Sequence, residues 1–249
     1  MNPRPIDSSI PSTVAGYLVR PVTFAFDGLR VRLLMVKRLE DYVDTEALLR
    51  DPQAPEPPYW AHLWPGSRYL AQVMAQNECV GRQVVDIGCG LGLAGMVSAM
   101  RGALVTMIDA AGDGVRFARA NAALNGLLSG PPPFAEGLTK AGSVAVVQGD
   151  IRSPGLRGRF DYCLAADVTY DPALQTAVAA FLAEHLSATG RAWCAESVRT
   201  LDQGFRRACE ARGLRATESE VRELDEQGEV PVRVTQVRWP ESETHLTGS

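Results

Sequence analysis

Lysine is almost missing from this chain: of its 25 basic residues only Lys37 and Lys140 are lysines, so chemistry that needs a lysine base or Schiff base has two candidates. Histidine is sparse too, with His62, His185 and His245 far apart, and the five cysteines (Cys79, Cys89, Cys163, Cys194 and Cys209) form no Cys-x-x-Cys pair. A zinc cage needs clustered thiolates and imidazoles, so no metal is expected. Nor are disulfides required, because 249 residues can bury an adequate core without them. No stretch approaches the roughly 20 apolar residues that cross a bilayer, and Met1 to Gly16 lacks the apolar centre of a secretion signal. The expectation is a cytoplasmic protein with no membrane partner. A formal net charge of −4 argues against a broad attraction to phosphate backbones, so nucleic acid is not an expected partner.

What is present is the composition of a soluble globular chain, 46% hydrophobic and 22% charged. Residues 1–16, with Pro3, Pro5, Pro11 and several serines, read as an irregular arm. From Val22 to Arg38 two apolar runs flank Asp27-Gly28, a pair suited to a tight turn, which predicts a β-hairpin within an extension over 17–58. A proline-rich linker, 51–58, leads into Trp64-Pro65-Gly66, which opens a helix whose apolar face includes Tyr69, Leu70 and Val73. Residues 59–240 form the main domain, followed by a tail at 241–249.

Within that domain short apolar runs alternate with helical patterns, the signature of a parallel sheet covered by helices. Strands are expected at about 83–87, 104–109, 144–149, 161–166 and 191–196, with helices at about 91–101, 113–125, 173–186 and 201–212. The stretches 215–222 and 230–239 follow one another with no helix between them, which predicts a terminal antiparallel hairpin. Residues 126–142, with three consecutive prolines, are too long for an ordinary connection and read as an insert or lid.

Chemistry concentrates where strands end. Val84-Val85-Asp86-Ile87-Gly88-Cys89-Gly90-Leu91-Gly92 reads as a buried strand that turns into a helix, and a turn without side chains lets a ligand approach the backbone. Gly90-x-Gly92-x-x-Gly95 also satisfies a dinucleotide fingerprint, so an NAD(P)-dependent oxidoreductase is an alternative. Asp86, two residues before the first glycine, would repel a pyrophosphate and balance a cationic amino group. Asp109, ending the next strand, can accept both ribose hydroxyl protons, and Asp150, after the third strand, suits the exocyclic amine of adenine. Acids at successive strand ends point to a cationic ligand without polyphosphate. Cys89, inside the turn, reads as a small residue and not a nucleophile.

On these motifs the sequence resembles the class I, seven-β-strand methyltransferases over about residues 59–239. The resemblance implies a Rossmann-like seven-stranded α/β sheet with helices on both faces, a terminal antiparallel β-hairpin and, here, an N-terminal β-hairpin extension. It also implies S-adenosylmethionine (SAM) as cofactor, left as S-adenosylhomocysteine (SAH), held by Asp86, Gly88, Cys89, Gly90, Asp109, Asp150, Ile151 and Ala166. A narrower resemblance lies in Trp60-Ala61-His62-Leu63-Trp64-Pro65-Gly66 and Ala165-Ala166-Asp167-Val168-Thr169-Tyr170, which are similar to the family-16 group that includes protein-lysine methyltransferases. By that resemblance Trp64 packs on the cofactor, and Asp167 and Tyr170 form the acceptor site. Ile151-Arg152 stand where members often carry a tryptophan.

Methyl transfer is an in-line displacement by an uncharged nucleophile, so positioning and desolvation do most of the work. Asp167 at a strand end can orient an N–H or take its proton, with Tyr170 beside the methyl; the plainer alternative is that Asp167 caps the loop or the following helix and Tyr170 packs. His62 is a second candidate base, and Trp60 is either a core aromatic or part of the site. The expected reaction is N-methylation of a protein side chain of lysine type. A small-metabolite acceptor and a non-catalytic cofactor-binding module are the alternatives.

Overall fold

The computed structural model describes residues 10–43, 50–51, 57–128, 142–197, 204–225 and 228–240. The start of the N-terminal arm, most of the linker and of the 126–142 insert, and the tail at 241–249 lie outside the described residues.

Ten strands are present among the described residues. β1 (Thr13–Val14), β2 (Tyr17–Phe26) and β3 (Leu29–Val36) form a three-stranded antiparallel sheet. The expected hairpin is there, turned by Asp27 (φ 43°) and Gly28 (φ 80°). It starts earlier than the apolar pattern implies, and Thr13–Val14, read as part of an irregular arm, pairs with Tyr17–Leu18. After α1 (Pro65–Gln76) come β4 (Gln83–Ile87), α2 (Leu93–Met100), β5 (Leu104–Asp109), α3 (Gly112–Leu124), β6 (Ser143–Gln148), β7 (Phe160–Ala166), α4 (Pro172–His185), β8 (Leu186–Ser197), α5 (Gly204–Glu210), β9 (Arg215–Leu224) and β10 (Glu229–Arg238).

The large sheet has the order β6-β5-β4-β7-β8-β10-β9, with β4 to β8 parallel and β10 antiparallel to both its neighbours. The strand order reverses between β4 and β7, the place where sheets of this kind open a crevice at the carboxyl ends of the strands. Helices cover both faces. One apolar core lies between the sheet, α1, α2, α3 and the N-terminal sheet, around Leu70, Met74, Met96 and Met107; the other lies under α4 and α5, around Ile87, Phe181 and Leu182.

β8 begins at Leu186, directly at the end of α4, five residues before the expected strand. Ser187 to Gly190 has the composition of a turn, yet the chain stays extended there, and the register against β7 slips between Phe160 and Tyr162 to absorb it.

The N-terminal sheet is fastened to α3 through side-chain amides. Buried Asn121 accepts from the Leu34 amide (2.7 Å) and donates to the carbonyl of Leu91, in the glycine turn (3.0 Å). One turn later Asn125 accepts from Arg32 N (3.0 Å) and donates to Arg32 O (2.7 Å). Two asparagines at i, i+4 thus satisfy the exposed edge of β3 as a neighbouring strand would.

Candidate active site

A cavity of about 800 Å³ opens over the carboxyl ends of β4, β5, β6 and β7. All twelve residues expected at the site line it: His62, Trp64, Asp86, Gly88, Cys89, Gly90, Asp109, Asp150, Ile151, Ala166, Asp167 and Tyr170. Tyr17, Tyr42 and Leu174 line it too without having been singled out by the sequence pattern, as do Trp60, read there as either core or site, and Val168 and Arg152, which lie within the segments named there but were given no role.

The glycine turn is shaped by neighbours from three segments. A Cβ on Gly88 (φ 62°) would lie 2.6 Å from Val168 Cγ2, one on Gly90 (φ 49°) 2.9 Å from the Trp60 carbonyl oxygen, and one on Gly92 (φ 81°) 2.9 Å from Met107 Sδ. Left-handed angles and close approach both demand glycine here. The space is filled by the chain itself: Val168 from the loop after β7, Trp60 from the segment before α1, and Met107 from β5. Gly88 and Gly90 also line the cavity, so their bare positions serve the packing of the chain as well as the approach of a ligand to the backbone.

Asp86, near the end of β4, is 3% exposed, and its Oδ2 accepts from the Gly95 amide in the first turn of α2 (2.9 Å). Burial pushes its pKa from 3.8 up to about 7, against the pull of the Gly95 bond, with Asp109 adding to the rise. Asp109 accepts from Gly90 N (2.8 Å) and Ala111 N (2.9 Å), so it ties the glycine turn to the start of α3; burial raises its pKa as well. Each carboxylate oxygen offers more than one lone-pair direction, so both acids retain acceptor capacity towards the cavity.

Asp150 is less available. Arg152 grips it in a two-pronged pair (Nε to Oδ1 2.9 Å, Nη2 to Oδ2 2.5 Å), and the Arg152 amide donates to Oδ1 as well (2.9 Å), which holds its pKa down. The expected adenine-side acid is therefore engaged by its own neighbour. Ile151, 9% exposed, forms the apolar floor beside it.

The loop after β7 is fixed residue by residue. Asp167 takes a left-handed φ of 52°, and its carboxylate accepts from Gly66 N at the start of α1 (3.1 Å) and from Ser197 N at the end of β8 (2.7 Å). A Cβ on Gly66 would lie 2.5 Å from Asp167 Oδ2, so the Gly66 side of this latch admits no side chain. Thr169, 3% exposed, donates to Glu196 (3.3 Å), and Asp171 caps α4 through the Ala173 and Leu174 amides (2.8 and 3.2 Å). Tyr170, 57% exposed, stands at the mouth. Asp167 is thus a latch as well as a wall residue, and it joins α1 where the sequence reading offered only the loop or the following helix.

The segment before α1 roofs the cavity. Trp64 donates its indole N–H to the Tyr59 carbonyl (2.9 Å), and His62 meets the Trp64 ring edge-on, centroids 4.6 Å apart. Trp60 packs on buried Phe117 (4.8 Å) while still lining the cavity, so it serves core and site together.

Five aspartates against one arginine line the cavity among the described residues. Such a field favours a cationic ligand and opposes a polyphosphate, and therefore fits the sulfonium and amino group of SAM better than a dinucleotide. The five cysteines are free and buried, and burial pushes the Cys89 thiol well up, so none is poised as a nucleophile. Among the described residues, no cluster of three or more metal-ligating side chains occurs, and no helix is long and apolar enough to cross a membrane.

Residues 59–164 match the family model of the methyltransferase small domain. The chain carries the class I methyltransferase fold. It superposes on the magnesium protoporphyrin IX methyltransferase of Synechocystis PCC 6803, solved with bound SAM, at a TM-score of 0.52, with 19% identity over 69% of this chain and 79% of that one. The ribosomal protein L11 methylase of Lactobacillus delbrueckii subsp. bulgaricus gives the same TM-score of 0.52, at 17% identity over 70% of this methyltransferase-fold chain and 79% of that protein. The electron transfer flavoprotein beta subunit lysine methyltransferase of Danio rerio is 44% identical over 48 residues. That match spans 18% of this chain and about a fifth (19%) of the relative.

Proposed function

We propose that the chain is a SAM-dependent N-methyltransferase acting on a protein side chain of lysine type. The observation that carries this reading is the acid-lined cavity over the strand ends, which opens at exposed aromatic side chains, Tyr170 and Tyr59. The short, 44% identical match to a lysine methyltransferase supports the acceptor class.

When bound, SAM supplies an electrophilic methyl group on a positively charged sulfur. Asp109 would hold the ribose hydroxyls, Asp86 the amino group, and Asp150 and Ile151 the adenine side, with the backbone of Gly88, Cys89 and Gly90 and the faces of Trp64 and Ala166 completing the cradle. Asp86 is suited to that place because a cation beside it restores the charge that burial suppresses.

An acceptor amine must shed its proton before it attacks. Asp167 lines the cavity and can orient the amine N–H, Tyr170 borders the entering side chain, and His62 is within the same cavity as a proton acceptor. An open mouth admits a long side chain on a folded partner; a small metabolite would instead be enclosed.

The test is to incubate the protein with methyl-labelled SAM and an extract of its host, then count label in precipitable protein and in small molecules. Label in a discrete protein band, lost with Asp86→Asn, supports the proposal. Label confined to the soluble fraction overturns the protein acceptor in favour of a metabolite.

A further inference from the structure

We infer that the N-terminal extension builds one wall of the cofactor site through Tyr17 and Tyr42, with Tyr17 as a positioning residue for the nucleoside. The inference rests on the cofactor reading above and concerns residues upstream of the glycine turn.

Tyr17 opens β2, and its ring meets three others: Tyr42 at 4.6 Å, Trp60 edge-on at 5.3 Å and Phe117 at 5.9 Å. Its hydroxyl donates to Asp113 Oδ2 in the first turn of α3 (3.3 Å), so the ring is held at both ends. Tyr42 is held in turn, its hydroxyl accepting from the Leu18 amide (3.0 Å). Phe117, fully buried, anchors the group from below.

The group bears directly on the glycine turn. The Trp60 carbonyl oxygen occupies the space over Gly90, and Trp60 Cβ lies 3.2 Å from where a Gly114 Cβ would sit, a point 3.4 Å from the Asp109 carboxylate. Gly90 N donates to that same carboxylate (2.8 Å). Tyr17 therefore sets the position of Trp60, and Trp60 stands over the Gly90–Asp109 hydrogen bond. Tyr17, Tyr42 and Trp60 all line the cavity beside Asp109.

A wall that combines ring edges and faces with a carboxylate suits the apolar face and hydroxyl edge of a nucleoside. Packing alone would account for Phe117. It does not account for Tyr17 of β2 and Tyr42 in the turn after β3 both reaching the same cavity as the ribose-side acid.

The test is titration calorimetry of the full chain with SAH, with apo melting curves and the SAH-induced change in tryptophan emission recorded alongside. Tyr17→Leu should weaken SAH about three- to tenfold, the value of an aromatic contact, and shrink the emission change. Tyr17→Phe, which keeps the ring and loses only the Asp113 bond, should restore affinity to within about threefold. Tyr42→Leu, at a half-exposed position, should weaken SAH in the same direction and replaces Tyr17→Leu if that variant does not fold. A lower apo melting temperature with unchanged SAH affinity in Tyr17→Leu, or in Tyr42→Leu where it stands in, makes the tyrosine a packing residue and overturns the inference alone. Failure of the wild-type chain to bind SAH overturns the cofactor reading and the inference with it.

Discussion

Asn121→Ala should be among the most damaging single changes outside the cavity. The Asn121 side chain is fully buried, and three hydrogen bonds converge on it: from Leu34 N at 2.7 Å, to Leu91 O at 3.0 Å and, longer, to Leu34 O at 3.5 Å. Leu34 and Leu91 are 1% and 3% exposed, so truncation leaves one buried amide and one buried carbonyl with no water to replace the lost partner. Each such orphan costs about 1–3 kcal/mol, giving about 2–6 kcal/mol together. The better helix propensity of alanine returns about 0.5 kcal/mol. At roughly 2–4 °C per kcal/mol for a chain of this size, melting should fall by about 3–20 °C. Asn125→Ala, at the half-buried end of the same pair of bonds, should cost about 1 kcal/mol. Urea unfolding followed by circular dichroism gives both values, with an unchanged m-value required for the comparison. An Asn121→Ala midpoint indistinguishable from wild type would show that the amide pairing does not hold the N-terminal sheet to α3.

Two further outcomes follow from the cavity acids. Asp86 has its pKa raised from 3.8 to about 7, so its contribution to ligand-free stability is full below about pH 4 and is lost as pH rises through 7. A cation placed beside it favours the ionised form, so SAM affinity should strengthen between about pH 6 and pH 8, with a proton released on binding at the acid end. Calorimetry in buffers of different ionisation heat reads that proton, and Asp86→Asn should flatten the profile; a pH-independent wild type would contradict the assignment. Asp167→Asn turns an N–H donor towards either Gly66 N or Ser197 N and should cost about 1–3 kcal/mol of stability in addition to its effect on turnover. Wild-type melting with this variant would mean that the latch is not carried by the carboxylate.

The parallel strands were legible because buried strands write themselves as short apolar runs ending in glycine or acid. Gln83–Ile87 and Leu104–Asp109 fall where the pattern puts them, and the terminal hairpin shows in the missing helix between Arg215–Leu224 and Glu229–Arg238. β8 was only partly legible, since Ser187 to Gly190 has turn composition and lies at the register shift between Leu186 and Arg191, whose pairing with Phe160 and Tyr162 of β7 the local sequence does not announce. The site acids stood out through their spacing from the glycines. Their engagements did not: the Asp150–Arg152 pair is local but optional, and the Asp167 bonds to Gly66 and Ser197 join residues 101 and 30 positions away. Asn121, Asn125 and Tyr17 carry no local signal, because an asparagine in a helix or a tyrosine in a strand gains its meaning only from the partner the fold delivers.

The measurement that reaches the central claim most directly is amino-acid analysis of the labelled protein product. Acid hydrolysis followed by chromatography should return the label as N-methylated lysine, stable to base. Label released by mild base as a methyl ester, or found on an amino acid other than lysine, would contradict the lysine-type N-methyltransferase.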